Sequence, residues 1–206
     1  TEVDVVQLIV HGGDGDLAVA AGADDRGVAF DGQNRYADAQ AQFRKASDIY
    51  LKEYGPENRF LATVLINQAQ TFDHQGRPQE ADRALRQAIA INEKWRGANH
   101  PEVARALNEL ATLHVRQDPK TALAFSRKAT AAILSHASFG DGGARTSGER
   151  GGLIEQRSDY FTNHVSSLVA LKRAAAPEDA AAMEREAFEI AQWAAQSLAA
   201  TALVQM

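Results

Sequence analysis

"NRYADAQAQFRKA" (residues 34–46) and "GRPQEADRALRQA" (residues 76–88) carry nearly the same pattern at one fixed distance. Ala46 is answered by Ala88 and then by Ala129, steps of 42 and 41 residues. Seven places upstream of each stands another small residue, Ala39, Ala81 or Ala122. Seven residues is close to two helical turns, so each pair lines one face of a helix. Other columns keep the same register: Gly55 with Gly97, Asn34-Arg35 with Gly76-Arg77, Phe30 with Phe72, Leu65 with Leu107, and Gly27 with Ala69 and Ala111.

Each unit holds two helical patterns separated by a breaker such as Gln75-Gly76-Arg77-Pro78 and closed by another, Tyr54-Gly55-Pro56 or Gly97-Ala98-Asn99-His100-Pro101. Leu65, Ala69 and Phe72 share one helical face, as do Ala81, Leu85, Ala88 and Ile91. Helices of this length are marginal alone in water, so each hairpin must bury its apolar face against the next. Arg185-Glu186-Ala187-Phe188-Glu189-Ile190 repeats Arg86-Gln87-Ala88-Ile89-Ala90-Ile91, with Ala180 seven places ahead, and marks a displaced fourth unit opened by Pro177. The expected organisation is an irregular segment over 1–16, three hairpins over 17–137, a Gly-rich loop over 138–152 and a divergent fourth hairpin over 153–206, with the first helix starting near Asp16. The expected fold is an all-α, right-handed superhelical solenoid of about four helix-turn-helix units.

Such a unit resembles the tetratricopeptide repeat, TPR. The longer step resembles the variety found in kinesin light chains, through Asn34-Arg35-Tyr36-Ala37-Asp38-Ala39, Gly55-Pro56-Glu57-Asn58 and, most fully, His100 to Ala111, "HPEVARALNELA". This resemblance covers about residues 17–137 and implies protein binding along the concave side, lined by the first helix of each unit. Counting from the small residue of each unit, the groove-facing candidates are Thr63, Ile66, Asn67, Gln70, Asp73 and His74, then Arg105, Asn108, Thr112 and Arg116, with Asn163 and Ser166 extending the row. An Asn amide both donates and accepts, so it can pair with the backbone of a bound peptide whatever its sequence. In kinesin light chain-like repeats the counterpart of Asn108 belongs to such a row. The plain alternative is a solvated polar helix face.

The final stretch Ile190 to Met206 carries no charge, yet Gln192, Gln196, Ser197, Thr201 and Gln205 make it a poor membrane span. A helix of this kind is normally buried on most sides. "EAFEIAQWAAQSLAATALVQM" resembles the helix that leads into the CHAT domain, a caspase-like peptidase fold, in bacterial TPR proteins. That resemblance implies a sensor or regulatory region followed by a further domain; pairing between copies through the Trp193 helix is another way to cover it. The chain begins at Thr1, which fits a removed leader as well as a start within a longer protein. A cytoplasmic location is expected.

Composition narrows the function. With 22 Lys and Arg against 27 Asp and Glu, and no block of like charge, nucleic acid is a poor partner. The absence of cysteine excludes disulfides, thiolate metal sites and cysteine nucleophiles in this sequence. The six histidines, His11, His74, His100, His114, His136 and His164, lack the spacing that puts two ligands on one helical face, so no metal or other cofactor is expected. "GGDGD" (12–16) lacks the remaining ligands of a calcium loop, and "GARTSGER" (143–150) has Glu149 and Arg150 where a phosphate loop needs Lys and Ser or Thr. His100 is expected to lead into a helix, and Trp95 and Trp193 to pack in the core. The leading expectation is therefore a non-catalytic module that binds a peptide or partner helix. Its rivals are a stand-alone scaffold using Asn67, Arg105 and Asn108, and a hydrolase in which His114 and His164 converge with acidic residues.

Overall fold

Four of the five prolines, Pro78, Pro101, Pro119 and Pro177, each open a helix, where the missing N–H costs nothing and the fixed φ suits the first turn. The structure, a computed structural model, describes residues 3–139, 158–173 and 176–204. Among these residues there are eight helices and no strand: α1 Val3–Gly32, α2 Tyr36–Tyr54, α3 Arg59–His74, α4 Pro78–Arg96, α5 Pro101–His114, α6 Pro119–Phe139, α7 Ser158–Lys172 and α8 Pro177–Val204. They fall into two units, residues 1–95 and 96–206. In the first, α1 packs on α2, and both meet α3; in the second, α6 packs on α5 and α7, α7 meets α5, and α8 packs on α7.

The register alanines occupy one environment. Ala39, Ala46, Ala88, Ala122 and Ala129 are 0% exposed and Ala81 is 1% exposed, so no larger side chain has room at any of them without moving a helix. In the first unit the cluster is concrete: Ala20 and Ala23 of α1, Ala39, Phe43, Ala46 and Tyr50 of α2, and Val64 of α3 bury one another. α2 is thus covered on one side by its own partner and on the other by the helix that follows.

The hairpin turns repeat as faithfully. Asn34 and Gly76 both adopt the left-handed conformation, with φ 59° and 70°, which glycine enters freely and asparagine tolerates. The next residue folds back in each case: the N–H groups of Arg35 and Arg77 donate to Phe30 and Phe72, both at 2.9 Å. Their guanidinium groups then lie 4.2 and 4.6 Å from the centres of those same rings. Arg35 pairs with Asp38 and Arg77 with Glu80, and the Arg77 hydrogen bonds hold the Glu80 carboxyl below the usual range. Helix entry is repeated too: Asn58 caps α3 by accepting from the Leu61 N–H at 2.8 Å, and His100 caps α5 by accepting from the Glu102 N–H at 3.1 Å.

Three expectations differ from the structure. Residues 3–16, expected to be irregular, belong to α1. The mainly apolar stretch Val3 to Val10, interrupted by Asp4 and Gln7, and the lack of any proline before Pro56 let the hydrogen-bond ladder continue upstream, although each glycine costs about 1 kcal/mol relative to alanine. Trp95 and Trp193 are not core residues, being 63% and 43% exposed. Trp95 instead lies over the α2–α3 turn, its indole N–H donating to the Glu57 carbonyl, since an indole ring tolerates a half-wet site when its polar tip is satisfied. Of the expected loop over 138–152, residues 138 and 139 end α6 and the rest lies outside the described residues, as does 153–157 of the expected fourth hairpin.

Gly27 gives the first test. The repeat places alanine at its counterparts Ala69 and Ala111, but a Cβ at Gly27 would stand 2.5 Å from the Phe43 ring. Gly27→Ala should therefore lower stability in urea unfolding by about 1–3 kcal/mol despite its better helix propensity. Combined with Phe43→Leu, the two changes should cost less than the sum of the singles.

Candidate functional site

The predicted row resolves into two seams, one in each unit, each formed where the first helices of successive hairpins lie side by side. In the first unit the Asn67 amide of α3 donates to both carboxylate oxygens of Asp24 on α1, at 3.1 and 3.2 Å. Seven residues further along each helix, His74 Nδ1 meets the Asp31 carboxylate at 3.0 Å. Two turns separate the rungs on both helices, so the seam is held in register. The Tyr36 ring leans against His74 with centroids 5.6 Å apart.

The second seam joins α5 to α7. The Asn108 amide donates to Asp159 at 3.2 Å, while its carbonyl oxygen accepts from Asn163 at 3.0 Å. Asn163 also donates to the Thr112 hydroxyl at 3.1 Å, and that hydroxyl returns its proton to the Asn108 backbone carbonyl. Asn108 and Asn163 stand 55 positions apart in the sequence, yet the two amides share a hydrogen bond.

Exposure sorts the candidates. Asn67 and Asn108 are 8% and 4% exposed, so each amide is committed to a carboxylate of the neighbouring helix. Ile66, expected to face the groove, is instead fully buried, as suits its apolar side chain. His74, Asp73, Thr112, Arg116 and Ser166 are exposed, and Thr63, Gln70, Arg105 and Asn163 are half-buried. Thr63 bonds back to the Arg59 carbonyl at 3.5 Å and Arg105 lies 3.8 Å from Glu102. A ligand on either seam would meet these groups above a floor of committed amides and carboxylates. Asp24, Asp31 and Asp159 complete the seams and were absent from the predicted row; a search for acids facing the row asparagines at slightly more than one period could have found the first two.

His114 and His164 keep different company: His114 leans on Phe125 at 5.8 Å, whereas His164 is buried between Thr130 and Glu186. Among the described residues no group of three His, Cys, Asp or Glu could hold a metal ion, and no helix is long and apolar enough to cross a membrane.

Residues 16–94 match the tetratricopeptide-repeat family profile. These residues are tetratricopeptide repeats. The wider fold is similar to the crystal structure of BtubC (BKLC) from P. vanneervenii, with a TM-score of 0.67 and 18% identity over 88% of this chain. The chain spans 63% of that protein's length. A crystal structure of kinesin light chain nearly identical TPR-like repeats from Podosopora anserina aligns over 88% of this chain and 95% of its own, with 17% identity and a TM-score of 0.49. No curated protein matches the sequence. The tetratricopeptide repeat is a scaffold for protein–protein interaction, and the expected fold class holds: all-α, built from repeated helical hairpins.

The seams predict coupled energetics. Double-mutant cycles on Asn67→Ala with Asp24→Ala, and on Asn108→Ala with Asn163→Ala, should each give a coupling of about 0.5–1.5 kcal/mol in urea unfolding. Arg116→Ala, an exposed change, should stay within about 0.5 kcal/mol of the parent.

Proposed function

We propose that the chain is a binding module that takes an extended peptide or a partner helix along the exposed side chains of one or other of its seams. The observation that carries this reading is exposure: Asn67 and Asn108 are covered and fix neighbouring first helices, whereas His74 of α3 and Thr112 of α5, themselves bonded within the seams, and Arg116 just after α5 are exposed, with Gln70 half-buried. Held side chains bind with less loss of conformational entropy than mobile ones. The mechanism is recognition, with no bond made or broken, and a cytoplasmic location belongs to the same proposal.

The finer proposal is that this module regulates a CHAT-type peptidase domain. Its support is the state of α8. Ala180 and Ala187 stand at the register positions where Ala39, Ala46, Ala81, Ala88, Ala122 and Ala129 are at most 1% exposed, yet both are only half-buried. Phe188 on the same helix is 64% exposed. A face of this kind suits another helical element, through which occupancy of the seams would be communicated. The rival, a stand-alone adaptor of kinesin light chain type, needs only the seams.

A peptide-display library panned against the chain tests the binding reading. Enriched peptides should lose about tenfold in affinity, roughly 1.4 kcal/mol, for a Gln70→Ala variant or an Arg116→Ala variant of unchanged thermal stability. Equal binding to parent and both variants would place recognition elsewhere.

A further inference from the structure

α6, α7 and α8 meet at a polar knot around a buried histidine that the binding reading does not use. His164 of α7 is 2% exposed. Its Nδ1 lies 3.0 Å from the Thr130 hydroxyl of α6, and its Nε2 lies 3.0 Å from the Glu186 carboxylate of α8. Arg127, one turn before Thr130, grips the same carboxylate with both nitrogens of its fork, at 2.7 and 2.6 Å. Beside the knot the hydroxyls of Ser126 and Ser167 bond to each other at 3.0 Å, continuing the polar contact between α6 and α7.

The hydrogen bonds define the resting state. Glu186 is ionised, since the Arg127 hydrogen bonds hold its carboxyl below the usual range. An ionised carboxylate can only accept, so His164 donates from Nε2, while Nδ1 faces a Thr130 hydroxyl that also reaches the Ser126 and Arg127 carbonyls. Burial and the neighbouring Arg127 guanidinium favour the neutral ring, whose bare Nδ1 then accepts from that hydroxyl. The charged groups facing it are Glu186 from α8 and Arg127 from α6. α5 meets α7 elsewhere, through Asn108 and Thr112 at Asp159 and Asn163.

We propose that this knot is a proton-sensitive latch that fastens α8 to the α6–α7 pair and loosens as the pH falls. A proton arriving at Nδ1 would put an imidazolium in a site screened from water and beside the Arg127 guanidinium. Burial is the chief cause holding the His164 pKa below its ordinary value, with the attraction of Glu186 opposing it. The sign follows by linkage. In the opened state the ring returns to its ordinary pKa of about 6.5 and binds the proton more readily, so opening is favoured as pH drops below that value. Glu186, whose pKa is depressed in the closed state, adds a second loss in the same direction at lower pH. Above about pH 6.5 both contributions are in full force.

The latch can be read by hydrogen exchange along α8 in the intact 206-residue chain, corrected for the intrinsic pH dependence of exchange. Between pH 6.5 and 5.5 the opening equilibrium of α8 amides should rise by up to about fivefold in the parent, the limit for one linked proton whose opened-state pKa is about 6.5. His164→Gln, which keeps an amide donor for Glu186 but takes up no proton, should show a flat profile over that interval. An equal rise in parent and variant would overturn the proposal. Should the variant fail to fold, the ring resonances of the parent decide: His164 must titrate below the other histidines, and a midpoint at or above about 6.5 would overturn it.

Discussion

Val64 of α3 lies in the same buried cluster as Ala20 and Ala23 of α1 and Ala39, Phe43, Ala46 and Tyr50 of α2, and this contact of a helix with the preceding hairpin is what the rest depends on. A two-helix hairpin cannot hide its apolar face unaided, so the face of α2 is finished by the next helix in sequence. Small residues at 39 and 46 let the helices approach closely, and Phe43 fills the space between them, reaching the backbone at Gly27. Side chains on the opposite side of the first helices are thereby set in rows at fixed height, which is the condition for the polar seams.

Those seams change what the row asparagines are for. An exposed asparagine amide would be available to a ligand, but Asn67 and Asn108 are covered and hold carboxylates of adjacent helices. Their chemistry as donor and acceptor is the reason they suit the position; the partner lies within the fold. Under the proposed binding reading, ligand recognition would fall to neighbours one helical turn or two away, Gln70 and Arg116 together with the exposed seam members His74 and Thr112. The knot around buried His164 belongs to the same principle, a polar contact that specifies how one helix sits on two others.

What was legible in the sequence was whatever the repeat enforces. Ala46, Ala88 and Ala129 are visible as a period because close helix approach admits only small side chains, and all three are fully buried. Asn34 and Gly76 are legible for a related reason, since few residues accept their backbone conformation. Contacts that depart from the period were hidden. Asp24 and Asp31 lie in a first helix whose glycines mask its pattern, and His164, Glu186 and Arg127 come together across the displaced fourth hairpin, where counting by 42 fails. The tryptophans misled for another reason: residue type predicts burial only on average, and Trp95 satisfies its N–H at a turn on the surface.

The dependence of each hairpin on the next can be measured directly by amide exchange after a single cavity-forming change in α3. Val64→Ala should lower stability by about 0.5–3 kcal/mol. Its effect should not stay in α3: amides of α1 and α2 should lose protection together with it, because the deleted methyl groups complete their core. Loss confined to α3, with α1 and α2 protected as in the parent, would contradict the account.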